Sequence, residues 1–158
     1  MTAVRLAEPA DAPALARLRF EFRASLNEAV ETEEAFLARA VRWMAGRLAA
    51  GTNWRCWVAE DGGTIVGHLW LQLIEKIPNP AAELEWHGYI TNVFVHPNAR
   101  GAGAGSALVE AALVFCREKG VDSVILWPTA RSRTLYARHG FAVRDDIMEA
   151  ILDDGRHV

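Results

Sequence analysis

The run Val93-Phe94-Val95-His96-Pro97-Asn98-Ala99-Arg100-Gly101-Ala102-Gly103-Ala104-Gly105-Ser106 puts glycine or alanine at every position from Gly101 to Gly105. Small residues let a main chain approach a ligand closely. The unpaired N–H groups of a helix's first turn, backed by the helix dipole, attract phosphate oxygens. A strand, this turn and then a helix therefore have the chemistry of a pyrophosphate site. Arg100 can add a charge-assisted contact, or point to solvent or to an acidic neighbour. Two other phosphate loops fit poorly. A Walker A loop needs a lysine just before its Ser or Thr, and Ser106 follows Gly105. A Rossmann turn needs Gly-x-Gly-x-x-Gly with an acidic residue ~20 positions later, and the glycines here stand at 101, 103 and 105.

The elements around this turn follow from apolar periodicity. Residues 3–7 read as a strand, and Asp11 can cap a helix with Leu15, Leu18, Phe22 and Leu26 on one stripe. A second helix begins at Thr32, has Glu33 and Glu34 at its positive end and Phe36, Leu37, Ala40, Val41, Met44 and Leu48 as its apolar face, and stops near Gly51. Residues 54–60 and 64–74 form a hairpin about Asp61-Gly62-Gly63. Residues 75–82, with Pro78 and Pro80, read as a loop, and residues 84–95 as a long strand.

After the turn, Ala107, Leu108, Ala111, Val114 and Phe115 predict a helix over 103–119 capped by Gly120. A strand at 123–127, a short helix at 131–139 ended by Gly140, and one or two closing strands over 141–152 complete the order β-α-α-β-β-β-α-β-α-β. No repeat or linker interrupts it, so a single α/β domain over 1–158 is expected.

Composition sets the bounds. The chain has 158 residues, 51% hydrophobic and 23% charged, enough for a sizeable core, and its net charge of -3 gives no global field for nucleic acid or anionic membrane. Arg5, Glu8, Asp11, Arg17 and Arg19 break any leader-like apolar run, and no stretch approaches the ~18 apolar residues of a membrane span. A cytoplasmic protein is expected. Cys56 and Cys116 lie far apart in apolar surroundings and read as buried thiols, with neither a disulfide nor a metal site expected.

The glycine-rich turn resembles the coenzyme A-binding motif of the GCN5-related N-acetyltransferases, Arg/Gln-x-x-Gly-x-Gly/Ala, met by Arg100, Gly103 and Gly105 after Val95-His96-Pro97. The later Leu135-Tyr136-Ala137-Arg138-His139-Gly140-Phe141 resembles a second family motif in the right order, and the likeness covers residues 84–141 best. The resemblance implies an acyl-CoA N-acyltransferase fold: a mixed, mostly antiparallel sheet of six to seven strands flanked by about four helices. It implies acetyl-coenzyme A as cofactor, an amine of a small molecule, peptide or protein as acceptor, and allows a homodimer. A non-catalytic acyl-CoA-binding sensor is the alternative.

The resemblance also suggests roles. The attacking amine must lose a proton and the departing thiolate must gain one. Tyr136 corresponds to the family's general acid, or else only packs. Pantetheine would lie like an added strand between the strand ending near Val95 and that near Trp127, with Val93 and Val95 offering backbone groups and Phe94 facing the core. The cofactor-binding set is then Val93, Phe94, Val95, Arg100, Gly101, Ala102, Gly103, Ala104, Gly105 and Ser106.

Two positions depart from the family. Where several relatives carry a glutamate base, this chain has Tyr89, so Glu85, His87 or Tyr89, which share parity with Glu83, could order a water instead. Where many carry an asparagine, it has Thr129, and Thr129 or Ser132 either donates to the cofactor or caps a helix. Trp70, Trp86 and Trp127 form an aromatic wall for an apolar or cationic acceptor, or fill the core. Arg19, Glu21, Phe22 and Arg23, with the 78–85 loop, are the regions that relatives use for acceptors.

Overall fold

A computed structural model describes residues 2–27 and 30–153 of the chain. The chain divides into two units, Met1–Leu126 and Trp127–Val158. The first unit runs β1 (Thr2–Leu6), α1 (Ala12–Ser25), α2 (Glu33–Leu48), β2 (Trp54–Asp61), β3 (Thr64–Glu75), β4 (Trp86–Val95), α3 (Ala104–Lys119) and β5 (Val121–Ile125). Its strands form one sheet in the order β1-β2-β3-β4-β5, antiparallel from β1 to β4, with β5 parallel to β4. That parallel pair requires a crossover connection, and α3 is its helix. The sheet is mixed and mostly antiparallel as expected, but has five strands among the described residues rather than six or seven.

Side-chain alternation assigns the two faces of the sheet. Cys56, Val58 and Trp70 share a core with Leu15 and Ala16 of α1 and Ala40 and Met44 of α2, with Trp54 packed against it. On the other side Trp57 meets Phe115 of α3 edge-on, with ring centroids 5.5 Å apart. Thr32 caps α2, its hydroxyl accepting from the Ala35 amide at 3.3 Å. Gly62 and Gly63, at φ 57° and 81°, turn the hairpin as the sequence predicts. Both cysteines are buried and free; burial pushes the Cys116 thiol up to about 11 and that of Cys56 well above its usual value.

Two local expectations in the first unit are corrected. Asp11 does not cap α1: its carboxylate accepts from the Glu8 amide at 2.7 Å and from both guanidinium prongs of Arg5 at 2.8 and 3.0 Å, while Arg5 also reaches Glu60 at 2.6 Å. A two-pronged, charge-assisted pair outcompetes a single amide. The buried face of α3 is Ala104, Leu108, Val109, Ala112 and Cys116 rather than Ala107, Ala111 and Val114, because two apolar stripes overlap on this helix and the sheet takes one of them.

In the second unit α4 (Arg133–Arg138) is formed and Gly140 follows it at φ 85°, but the closing strands are absent from residues 141–153. Val143, Met148 and Leu152 are 86%, 96% and 95% exposed, and that unit holds no strand among its described residues to pair with them. β-propensity without a partner makes no ladder. Among the described residues no helix is long and apolar enough to cross a membrane.

Candidate functional site

The backbone of β4 organises one end of the first unit. Its pairing with β5 stops at Tyr89 opposite Ile125, where β5 itself ends. From residue 90 to 95, that edge of β4 has no strand partner among the described residues. On its other edge His68 pairs with Phe94 and Trp70 with Thr91, so Leu69 alone opposes Asn92 and Val93. This is a β-bulge, and Asn92 sits in it at φ 52°. Asparagine enters the left-handed region more readily than β-branched residues do, which suits it to this place in a strand of Ile, Thr and Val.

Beyond β4 a 3₁₀ turn, Pro97–Ala99, leads into the glycine run. Gly101 and Gly103 take φ 84° and 83°, and a Cβ on either would meet nothing within 4 Å. These glycines are therefore needed for backbone conformation, not for space inside the fold. Gly103 precedes α3 and no side chain caps that helix; the first intrahelical bond is Ala107 N–H to Gly103 C=O at 2.9 Å. The amides of Ala104, Gly105 and Ser106 thus open the helix as a group of donors. Arg100 donates from Nε to the Val95 carbonyl at 2.8 Å, and its guanidinium lies 5.7 Å from the Phe94 ring.

On the α1–α2 face a cavity of about 480 Å³ lies beside the bulge, walled by Phe36, Trp43, Trp54 and Trp70 and floored by Thr91 and Asn92. Trp43, Trp54 and Trp70 form a mutual cluster with centroids 5.3, 5.9 and 6.1 Å apart. Beneath it runs a polar chain: Trp70 Nε1 donates to His68 Nδ1 at 3.1 Å, Asn92 Nδ2 lies 3.5 Å from the same nitrogen, and Arg19 donates to Asn92 Oδ1 at 3.1 Å. His68 is wholly buried, and its Nε2 has no partner among the described residues. Burial and the nearby Arg19 charge hold its pKa down to about 3, so it stays neutral. It is a positioning group for Trp70 and Asn92, and too weakly basic to take a proton at neutral pH.

The structure distributes the predicted residues unevenly. Val93, Val95 and the 100–106 turn lie together at the β4–α3 end, and Phe94 is core, stacked 5.2 Å from Phe22. His87 and Tyr89 lie within β4; cross-strand pairing puts Tyr89 opposite Gln72 and Gln72 opposite Trp54, which sets Tyr89 on the cavity's face. His87 Nδ1 is 2.9 Å from Ser123 Oγ. Glu83 and Glu85 precede the strand and are exposed, so the shared parity ends at His87; Glu83 is held by Lys76 and Asn79.

Of the first-helix candidates, Arg19 alone lines the cavity; Glu21 lies 3.8 Å from His96. The expected aromatic wall is only partly right. Trp70 belongs to it, whereas Trp86 lies under the Lys119 ammonium, 4.9 Å away, and Trp127 is 46% exposed in the second unit. In that unit Tyr136 is buried, with its ring 5.7 Å from Phe141 and its pKa raised by desolvation. Thr129 and Ser132 bond each other: Thr129 N–H donates to Ser132 Oγ at 2.9 Å and Ser132 N–H to Thr129 Oγ1 at 3.3 Å, a closed turn ahead of α4.

Sequence reasoning missed Trp43, Trp54, Asn92 and His68. Trp43 stands three residues after Ala40 on the α2 stripe, and Asn92 is a strand-averse residue within a β-branched run. Those were the available signals.

Residues 16–141 match the model of the acetyltransferase (GNAT) family. The mycothiol acetyltransferase of Beutenbergia cavernae is 35% identical over 104 residues, 60% of this chain and 32% of that protein, so the chain spans about a third of its length. Among solved structures, a GCN5-related N-acetyltransferase from Ralstonia eutropha superposes with a TM-score of 0.72 at 30% identity, over 96% of this chain and 99% of that one. A predicted acetyltransferase with acetyl-CoA from Clostridium acetobutylicum has a TM-score of 0.76 at 24% identity over 99% of this chain and 100% of that one, a likeness of fold.

Proposed function

The chain belongs to the acetyltransferase (GNAT) family, and from that premise we propose that it moves an acetyl group from acetyl-coenzyme A to a primary amine by direct attack, both substrates being bound together. The observation that carries the reading is the edge of β4 after Tyr89, which has no strand partner among the described residues and runs into a glycine turn that opens α3 without a side-chain cap from Gly103. The residues fit the cofactor. The exposed, positive-φ Gly101 and Gly103 leave the backbone bare, and the helix start suits a diphosphate.

Acetyl-coenzyme A supplies an activated thioester. Arg100, Gly101, Ala102, Gly103, Ala104, Gly105 and Ser106 would hold its diphosphate. Backbone groups of Val93 and Val95 would pair with its extended arm as with an added strand, and one would polarise the acetyl carbonyl. Hydroxyls of Thr129 and Ser132 would supplement them. Desolvation keeps the Tyr136 phenol protonated at neutral pH, the state a general acid toward the leaving sulfur needs. His87 or Tyr89 would order the water that takes the amine's proton; the exposed Glu85 could act through such a water too.

The test couples a thermal shift series to an amine panel followed by thiol release. Acetyl-coenzyme A is expected to raise the melting temperature, with ATP and NAD inert. Tyr136→Phe is expected to lower kcat about 100-fold while keeping the thermal shift. A retained shift with no thiol release from any amine would instead mark an acyl-CoA sensor.

A further inference from the structure

The cavity beside the Asn92 bulge is built for one charge type. Its lining includes Arg19 and Arg39 and no acidic residue. Arg39 is already paired with Glu31. Arg19 is different: half-buried on α1, it donates to the neutral Asn92 oxygen at 3.1 Å, lies 5.9 Å from the Phe22 ring and near enough to Tyr89 to interact with it, and it has no carboxylate partner among the described residues. A desolvated guanidinium with a single neutral acceptor is left short of partners. Burial and the like charge of Arg23 pull its pKa down to about 10. A bidentate carboxylate would meet its remaining donors.

The rest of the lining says what else the occupant carries. Trp43, Trp54, Trp70 and Phe36 offer a wide aromatic wall, and Arg47 already covers one face of Trp43 at 5.2 Å. A planar or bulky apolar group suits it better than a second cation. The anion's location also matters. Arg19 is bonded to Asn92, the residue just before Val93 on the bulge, so a carboxylate on Arg19 sits at the end of the cavity nearest the proposed acetyl position. An amine that attacks there must be only a few bonds from that carboxylate.

We propose that this cavity is the acceptor site and takes an aromatic or large apolar α-amino acid, its carboxylate on Arg19 and its side chain among Trp43, Trp54 and Trp70. This rests on the acetyl-transfer reading above. The amine nitrogen bonds to the acetyl carbon, and the C–S bond breaks with its electron pair leaving on sulfur. The ammonium loses two protons, one before attack and one after, and one proton is returned to the thiolate. The products are an N-acetyl amino acid, free thiol and one proton.

The experiment compares L-phenylalanine with 2-phenylethylamine, which lacks the carboxylate, L-phenylalanine amide, which masks it, and L-alanine, which lacks the ring. The unmodified protein is expected to show kcat/KM for phenylalanine at least about tenfold above each of the others. Arg19→Met should abolish the preference over 2-phenylethylamine and Arg19→Lys should restore part of it. Binding is read separately: N-acetyl-L-phenylalanine should quench tryptophan fluorescence saturably in the unmodified protein and not in Arg19→Met. Equal rates for phenylalanine and its amide or decarboxylated analogue overturn the proposal while leaving acetyl transfer standing; the amide result would point to a peptide amino terminus. Arg19-dependent binding without thiol release from any amine keeps the site and removes the transfer reading. Should Arg19→Met fail to fold, the comparison of the four amines on the unmodified protein still decides.

Discussion

The two ends of the β4 bulge are made of different material. On the α3 side the candidate site is main chain: glycines at positive φ, a helix start with no side-chain cap and a strand edge with no partner among the described residues, contributed by one continuous stretch from Val93 to Ser106. On the α1–α2 side it is side chain: Arg19, Trp43, Trp54, Trp70 and Asn92, drawn from five elements. A backbone-built site tolerates many side chains but few conformations. A side-chain-built site is the reverse, and its chemistry can vary while the fold stays the same.

The difference can be sharpened by perturbing each side in its own currency. The largest effect is expected at His68, whose folded pKa is about 3 against an ordinary 6.5. The unfolded chain binds this proton and the folded one does not, so the stability His68 contributes is full above pH 6.5 and falls with pH toward the folded value. The slope is ~1.4 kcal/mol per pH unit, or about 3 kcal/mol between neutral and about pH 4. Urea unfolding across that range should show the slope. His68→Gln, which keeps an acceptor for Trp70 Nε1 and does not titrate, should lack that part of it. Identical slopes would mean His68 is not held neutral.

A smaller effect belongs to the turn. Gly103→Val forces a β-branched residue to φ 83° where space is open. Strain of ~1–3 kcal/mol should weaken acetyl-coenzyme A affinity about tenfold, measured by calorimetry, and leave fluorescence quenching by N-acetyl-L-phenylalanine unchanged. Equal loss of both would mean the two sides are one coupled unit. The smallest effect is a control remote from both. Asp11→Asn breaks the Arg5 pair, in which Arg5 is 37% exposed, and should cost under about 1 kcal/mol of unfolding free energy while altering neither ligand's affinity.

The same division explains what could be read in advance. Helix and strand order, the Asp61-Gly62-Gly63 hairpin, the Thr32 and Gly120 caps and the glycine-rich turn all follow from local rules, because each depends on residues a few positions apart. The closing strands over 141–152 failed for the opposite reason: a strand exists only where another chain segment completes its ladder, and periodicity does not report the partner. The stripe of α3 failed similarly, since two apolar faces were legible and the sheet selected one.

By itself, then, the sequence determined the conformations that cost least locally: where glycine must bend the chain and where a helix must begin. Only the tertiary structure decided that Asn92 and Val93 would bulge against Leu69, that Trp43 and Trp54 rather than Trp86 and Trp127 would wall a cavity with Trp70, and that Arg19 would stand in it bonded to Asn92. Those are properties of registers and of side chains far apart along the chain, fixed by packing across the sheet rather than by any neighbour's preference.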